Sequence, residues 1–333
     1  MSKLSNDKMI VVTGAAGFIG SGVVRYLNDK GITNLLLVDD LKQTEKWKNL
    51  LNKKSADFIS KHDLFRYLQG KEDEIGAIIH LGACSDTLEA DGSYLMENNY
   101  RYSLRLSEYA LNHDIRFIYA SSAATYGDGL LGFRDEENTI EHLKPLNLYG
   151  FSKYYFDLWL KQQGVLGQVV GLKYFNVYGP NENHKGRMAS MVYKMLPAAR
   201  DVGVIKLFKS SEPDRFPDGG QCRDFIYVKD VVRLTCDFLE NKVAGIFNIG
   251  SGKATTWNEL AHALFKALDK HPQIEYMDMP KDLIGQYQNY TKAEMDKYLK
   301  RHNLPDSHPF CQYSIEDGVS DYVRNYLLKD VRW

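Results

Sequence analysis

Cysteine is scarce in this chain of 333 residues, and Cys84, Cys222, Cys236 and Cys311 are scattered without metal-ligand spacing. That excludes a zinc module or a disulfide scaffold, predicts no metal site, and suits a reducing compartment. Charge of one sign is not in excess. With 42 basic and 43 acidic residues the net charge is −1, so nothing favours nucleic acid or an acidic membrane as a partner. No run approaches the roughly 18 apolar residues of a membrane helix. The opening stretch, Met1 to Lys8, lacks the apolar segment of a secretion signal, which predicts a cytoplasmic protein. Internal repeats and low-complexity segments are missing too. The length allows a sizeable core and two lobes.

What is present begins at Ile10, Val11 and Val12, a β-branched run that reads as a strand buried on both faces. Gly14, Gly17 and Gly20 follow at three-residue spacing. A helix then begins, with Val23, Val24 and Leu27 on one face and Gly31 as its stop. Strand, glycine turn and helix set a pyrophosphate against backbone N–H groups at a helix N-terminus. A second apolar run, Leu35 to Val38, ends in Asp39 and Asp40. These carboxylates stand about 20 residues past the turn, where a ribose hydroxyl is met. Together these features predict a dinucleotide site.

Further strands are expected at Ala56–Ile59, Ala77–Leu81, Arg116–Ser121, Val169–Tyr174, Ile205–Phe208, Phe225–Val228, Gly245–Ile249 and Gln273–Met277. Helices are expected near Leu64–Leu68, Met96–Asn112, Tyr149–Gln163, Met188–Arg200, from Val228 to Asn241, and over Trp257–Leu268. Strands alternating with helices predict the α/β class, a Rossmann-type doubly wound parallel sheet with ligands at the carboxyl ends of its strands. The rhythm breaks near Asn176. We therefore expect a discontinuous arrangement: residues 1–175 plus 225–254 form the dinucleotide domain, and 176–224 plus 255–333 a smaller α/β lobe that binds substrate. Part of the C-terminal end is free to pack back on the first domain.

Three residues suggest the reaction class. Tyr149 and Lys153 stand one turn apart on one helix face, and Ser121-Ser122 closes the preceding strand. A tyrosine with a pKa of about 10 is a poor base at neutral pH, but a nearby ammonium and a positive nicotinamide ring would both favour its phenolate. A serine hydroxyl can orient the alcohol whose proton is removed while hydride leaves its carbon. By spacing alone the Tyr149–Lys153 pair also reads as an ordinary amphipathic pair; its place behind a strand and after the glycine turn favours chemistry.

The stretches Thr13–Gly20, Ser121–Gly127, Tyr149–Lys153, Tyr174–Pro180 and Arg223–Asp230 occur in an order that resembles the extended short-chain dehydrogenase/reductases acting on nucleotide sugars. Within that family, His80–Thr87, Met96–Tyr100, Asn176–Ser190 and Gly285–Thr291 resemble the ADP-heptose 6-epimerase branch. The 4,6-dehydratases of the family carry an Asp-Glu pair after the strand-end Ser or Thr. Here Ala123-Ala124 stands in its place, which argues for oxidation and re-reduction without loss of water.

The resemblance implies an isomerase of lipopolysaccharide-precursor synthesis that inverts C6 of ADP-heptose, with Tyr149 as one acid/base and Lys185 as the other. Hydride returns from the same cofactor face. The ketone must therefore turn over before reduction, and its oxygen then needs a second proton donor. Lys185 by itself, in a loop of Gly and Asn, reads as a solvated charge. Ser122 orients the substrate and Lys153 holds the nicotinamide ribose. Cofactor contacts are implied for Gly14, Gly17, Phe18, Ile19, Gly20, Asp39, Asp40, Lys46, Lys61, Leu81, Gly82, Ala83, Cys84, Ser85, Asn98, Lys153, Val177 and Lys185, although Leu81 replaces an acidic residue. Substrate contacts are implied for Ser122, Asn176, Arg187, Lys194, Phe208, Lys209, Ser210, Ser211, Arg223 and Tyr287. Arg187 and Lys194 depart from the Ser and His of relatives. Arg223 suits a pyrophosphate clamp or a structural salt bridge with Asp224 or Asp230. Asp39 by itself favours NAD, since it would repel a 2′-phosphate. The resemblance implies tightly held NADP, with Lys46 and Lys61, and Lys42 nearby, as counter-charge; NAD is the alternative. It also implies a homo-oligomer, a pentamer, with no partner protein. Two alternatives stay open: another nucleotide-sugar activity, such as a UDP-hexose 4-epimerase or reductase, and a non-catalytic dinucleotide sensor.

Overall fold

The computed structural model describes residues 5–280, 288–305 and 308–333. Among these described residues the strands are β1 (Met9–Thr13), β2 (Leu35–Asp39), β3 (Asp57–Ser60), β4 (Ile75–His80), β5 (Arg116–Ser122), β6 (Val169–Tyr174), β7 (Asn176–Tyr178), β8 (Ile205–Phe208), β9 (Cys222–Arg223), β10 (Phe225–Tyr227), β11 (Gly245–Ile249), β12 (Thr255–Thr256) and β13 (Ile274–Met277). Seven of them form one parallel sheet in the order β11-β6-β5-β4-β1-β2-β3. The chain winds outward from β1 in both directions, so the switch point lies between β1 and β4, where ligands of such sheets bind.

The apolar strand runs arise because both sheet faces are covered. Ile10 and Val12 turn to a core shared with α1 (Phe18–Asp29) and α7 (Val228–Asp237), while Val11, between them, turns to the opposite core. That second core holds Leu106 of α4 (Tyr102–Asn112) and Phe156 and Leu160 of α5 (Leu148–Gln162). Strands β2, β6 and β11 are buried along their whole length, whereas the edge strand β3 begins with two exposed residues. The other helices are α2 (Leu64–Leu68), α3 (Gly92–Leu95), α6 (Met191–Pro197), α8 (Trp257–Ala267), α9 (Asp296–Arg301) and α10 (Ile315–Tyr322).

Beside the sheet, β7 pairs with β10, β9 with β12, and β8 with β13. The expected strand Phe225–Val228 ends at Tyr227, and Val228 opens α7, which ends at Asp237 rather than Asn241. The helix expected from Met188 starts at Met191, where Ser190 Oγ accepts the N–H of Tyr193 at 3.4 Å. Gly186, at φ 50°, interrupts the residues before it and keeps them out of that helix. The helix expected over Met96–Asn112 begins earlier, as α3, and passes through a π-helical stretch at Met96–Arg101. The two-residue strands and α9 and α10 escaped the sequence pattern. Among the described residues no helix is long and apolar enough to cross a membrane.

Candidate active site

The carboxyl ends of β1, β2, β4 and β5 open into a cleft of about 700 Å³. The glycine turn forms its floor. Gly14 takes φ 67° and lies so close to the next strand end that a β-carbon there would stand 2.8 Å from the backbone nitrogen of Gly82. A β-carbon on Gly20 would sit 2.1 Å from the carbonyl oxygen of Gly14. The third glycine therefore lets the first turn of α1 pack on the loop. No side chain caps α1: Gly17 is the N-cap, and the following N–H groups line the cleft at Phe18, Ile19 and Gly20. An uncapped helix start behind a glycine cradle fits a dinucleotide pyrophosphate.

Asp39, at the end of β2, is nearly enclosed. One carboxylate oxygen accepts the Ala16 N–H at 2.8 Å; the other accepts the Asp40 N–H at 2.7 Å and meets Lys46 Nζ at 2.6 Å. Lys61 donates to Asn98 Oδ1 at 2.8 Å. Lys42 and Asp40 also line the cleft. On the other side of the switch point, the loop Leu81 to Ser85 is held from beneath. The Cys84 N–H donates to Asn99 Oδ1 at 2.8 Å, and Asn99 Nδ2 donates to the Cys84 carbonyl at 3.0 Å and to Ser152 Oγ at 3.1 Å. His80 bridges Thr13 Oγ1 at 2.6 Å and Ser103 Oγ at 2.9 Å, and burial pushes its imidazole down to about 3, so it stays neutral. The sequence pattern assigns His80 and Asn99 no role; the folded chain shows that they hold the strand end and the loop Leu81 to Ser85 in place.

Tyr149 stands in the first turn of α5, whose N-cap Asn147 accepts the Gly150 N–H at 2.7 Å. It hydrogen-bonds with Ser122, and that bond favours the phenolate, but burial raises the phenol above its ordinary value and dominates. The lowering expected from the Lys153 ammonium does not appear: Lys153 is buried, its own pKa is lowered to about 8 by that burial, and its Nζ donates to the Ala120 carbonyl at 2.8 Å. Beneath this pair lies a fully buried ion pair, Lys173 Nζ to Asp157 Oδ2 at 2.8 Å. Asp157 also accepts from Tyr119 at 2.9 Å and Ser121 at 2.7 Å, tying α5 to the end of β5. A lone lysine in a strand and an aspartate in a helix gave no sequence signal of that pairing.

Lys185 reaches the same cleft from the segment Asn183–Met188. Its Nζ donates to Ser85 Oγ at 3.2 Å, and burial lowers its pKa, opposed by the carboxylates of Glu182 and Asp86. Arg187 pairs with Asp86 at 2.5 Å across the cleft mouth. Ser122, Asn176 and Val177 line the cleft, and so do Phe225, Trp257 and Leu260, which sequence reasoning had not named. Lys194 instead lines a separate depression with Met191, Met195 and Lys206. Phe208 ends β8 and Lys209, Ser210 and Ser211 follow it, all four outside the residues lining the cleft, with Lys209 paired to Asp278 at 2.9 Å. Arg223 is buried, with its guanidinium 5.8 Å from the Trp257 ring. Its Nη1 donates to the Cys222 carbonyl at 2.9 Å, while Asp224 accepts the N–H groups of Ser251, Gly252 and Ala293, and Asp230 pairs with Arg233. Tyr287 lies outside the described residues. Among the described residues no cluster of His, Cys, Asp and Glu could hold a metal ion.

A parallel sheet with a glycine cradle at its switch point and a Ser-Tyr-Lys set on the neighbouring strand and helix fits the class of nicotinamide-dependent Rossmann-fold enzymes. Residues 10–250 match the model of the NAD dependent epimerase/dehydratase family, and the chain belongs to that family. It is 50% identical over 324 residues, covering 96% of this chain and 98% of the relative, to the ADP-L-glycero-D-manno-heptose-6-epimerase of Nitratidesulfovibrio vulgaris (strain DP4). The protein of the same name from Fusobacterium nucleatum subsp. nucleatum is 46% identical, over 97% of this chain and 99% of its own length. The crystal structure of Helicobacter pylori ADP-L-glycero-D-manno-heptose-6-epimerase superposes with a TM-score of 0.78 at 27% identity, covering 96% of each chain.

Proposed function

We propose that this chain is an isomerase that converts ADP-D-glycero-D-manno-heptose to its L-glycero epimer at C6, using a tightly held NADP. The observation that carries the reading is the convergence of two proton-transfer groups on one cleft. Tyr149 comes from α5 with Ser122 beside it, and Lys185 comes from a separate segment. The relatives at 46–50% identity that bear this enzyme's name support the substrate. Bound in the cradle, the dinucleotide supplies reversible hydride acceptance from the C6 carbon. Ser122 would orient the C6 oxygen, and Tyr149 would take its proton as a phenolate, which the Ser122 bond and a positive nicotinamide ring favour against the effect of burial. The exocyclic carbon would then turn by bond rotation and take the hydride back on its opposite face, while its oxygen receives a proton from Lys185, whose lowered pKa suits a group that must both give and take a proton. Lys153 holds the nicotinamide ribose.

The enclosure of Asp39 supports NADP over NAD. Its carboxylate is turned to the glycine loop and neutralised by Lys46, so the repulsion expected towards a 2′-phosphate is offset. Lys42 and Lys61 line the same end. We assign dinucleotide binding to residues 1–175 plus 225–254 and substrate binding to the remaining lobe; β10 of the first set pairs with β7 of the second, so the two are interleaved. A cytoplasmic homopentamer is the assembly implied by the resemblance, which light scattering checks. The decisive experiment is an NMR assay of C6 inversion with no added cofactor, with UDP-hexoses as controls. Inversion of the UDP-hexoses instead of ADP-heptose would sink the reading.

A further inference from the structure

The segment that carries Lys185 is anchored to three residues far away in the sequence, Asn49, Ser21 and Trp333, and once locally, through Glu182 and Ser190. Asn49, in the short 3₁₀ turn Glu45–Leu50, is 1% exposed. Its side-chain amide donates to the Ala16 carbonyl and to the Asn181 carbonyl, each at 3.0 Å, with His184 Nδ1 3.3 Å away. Asn181, at φ 77°, donates to Ser21 Oγ at 3.0 Å and exchanges bonds with the backbone of Trp333. Glu182 is buried and accepts the Ser190 hydroxyl at 2.6 Å. The residues before Lys185 are thus fixed, and the lysine projects from a rigid base.

The position of Asn49 links this base to the cofactor seat. Ala16 lies inside the glycine turn: its N–H goes to Asp39 and its carbonyl to Asn49. The 3₁₀ turn that carries Asn49 also carries Lys46, which binds Asp39. One six-residue turn therefore touches the carboxylate at the ribose position, the floor of the pyrophosphate cradle and the base of the Lys185 segment. An asparagine suits the junction because its two N–H bonds point at two carbonyl oxygens of different segments. Buried carbonyls left without those donors would be costly, so the two segments move as one.

We propose that Asn49 is a positioning residue for the second proton-transfer step, holding the Lys185 segment in register with the dinucleotide cradle. The inference rests on the reading of Lys185 as an acid/base. In the folded protein, Glu182, Asp86, Cys84 and His184 face Lys185, together with its hydrogen-bond partner Ser85. Releasing the segment would let the ammonium reach water and recover its ordinary basicity.

Asn49→Asp keeps the shape and removes both donors. Its expected effect is a fall in kcat of about 10- to 100-fold, the range for displacement of a reacting group by about 1 Å, with KM and bound dinucleotide per protomer near the wild-type values. The alkaline limb of the pH–rate profile, set by loss of the proton that Lys185 must donate, should move to higher pH. Asn181→Gly keeps the backbone at its positive φ, removes the bonds to Ser21 and Trp333, and should show the same shift in smaller measure; it also serves if the first variant fails to fold. An unmoved limb with wild-type kcat per bound dinucleotide, in whichever variants fold, overturns the proposal. Lys185→Met is run beside them: if it still epimerises, the two-base reading itself fails, independently of Asn49.

Discussion

At the scale of single residues, the proposed mechanism divides the cleft into groups that would transfer protons and groups that hold them in place. Tyr149→Phe and Lys185→Met should each reduce epimerisation by about 10²- to 10⁴-fold, the usual contribution of a positioned acid or base, read as C6 inversion by NMR. Normal turnover in the Lys185 variant would leave Tyr149 to serve both faces, which one fixed phenol cannot do. His80 offers a test in stability. Its folded pKa is about 3 against an ordinary 6.5 because burial disfavours the charged ring. As pH falls below 6.5 the unfolded chain takes a proton that the native ring refuses, so this contribution is full above 6.5 and is lost on descent to about 3, on the order of several kcal/mol. The fall of Tm between pH 7 and pH 4 should be shallower in His80→Gln, compared with the wild type in the same buffers.

At the scale of elements, the first turn of α1 and the α5–β5 junction carry most of the design. Gly20→Ala places a methyl against the Gly14 carbonyl, with only 2.1 Å between the added carbon and the oxygen. The turn must shift, and the expected outcome is loss of copurifying dinucleotide, measured by absorbance after denaturation. Retained stoichiometric dinucleotide would contradict the close-packing role of the third glycine. The buried pair Lys173–Asp157 joins β6 to α5 and, through Ser121, to the strand end beside Ser122. Lys173→Met strands the carboxylate and should lower stability by about 3–5 kcal/mol, seen as a reduced midpoint in urea. A midpoint equal to the wild type would show that water reaches Asp157.

At the scale of the whole molecule, two loops from distant parts of the chain meet over one cleft. The Arg187–Asp86 pair joins them, with the arginine side chain 60% exposed. Such a pair contributes about 1 kcal/mol or less to folding, so Arg187→Ala should barely move Tm yet hasten exchange of bound dinucleotide against labelled dinucleotide in solution. An unchanged exchange rate would show that the pair does not close the cleft. The sheet, its buried strands and the glycine turn were legible in the sequence because burial on both faces and the steric demands of a tight turn act through neighbouring residues. The Ser122–Tyr149–Lys153 set was legible for the same reason, as a strand end followed by a helix start. Cofactor choice was not: Asp39 alone favours NAD, the resemblance implies NADP through Lys46 and Lys61, and the bonds of Asp39 to Ala16 and Lys46 form only in the folded chain. The role proposed for Lys185 came from resemblance, but its half-buried position at the cleft depends on Asn49 and Trp333, 136 residues before it and 148 after it. The sequence by itself determined the strand–turn–helix that seats a dinucleotide and the helix turn that presents Tyr149, because local periodicity and glycine sterics settle both. Only the tertiary structure decided which charges are neutralised and which lysine faces the cleft, because pairing and desolvation arise between segments that meet only when the chain folds.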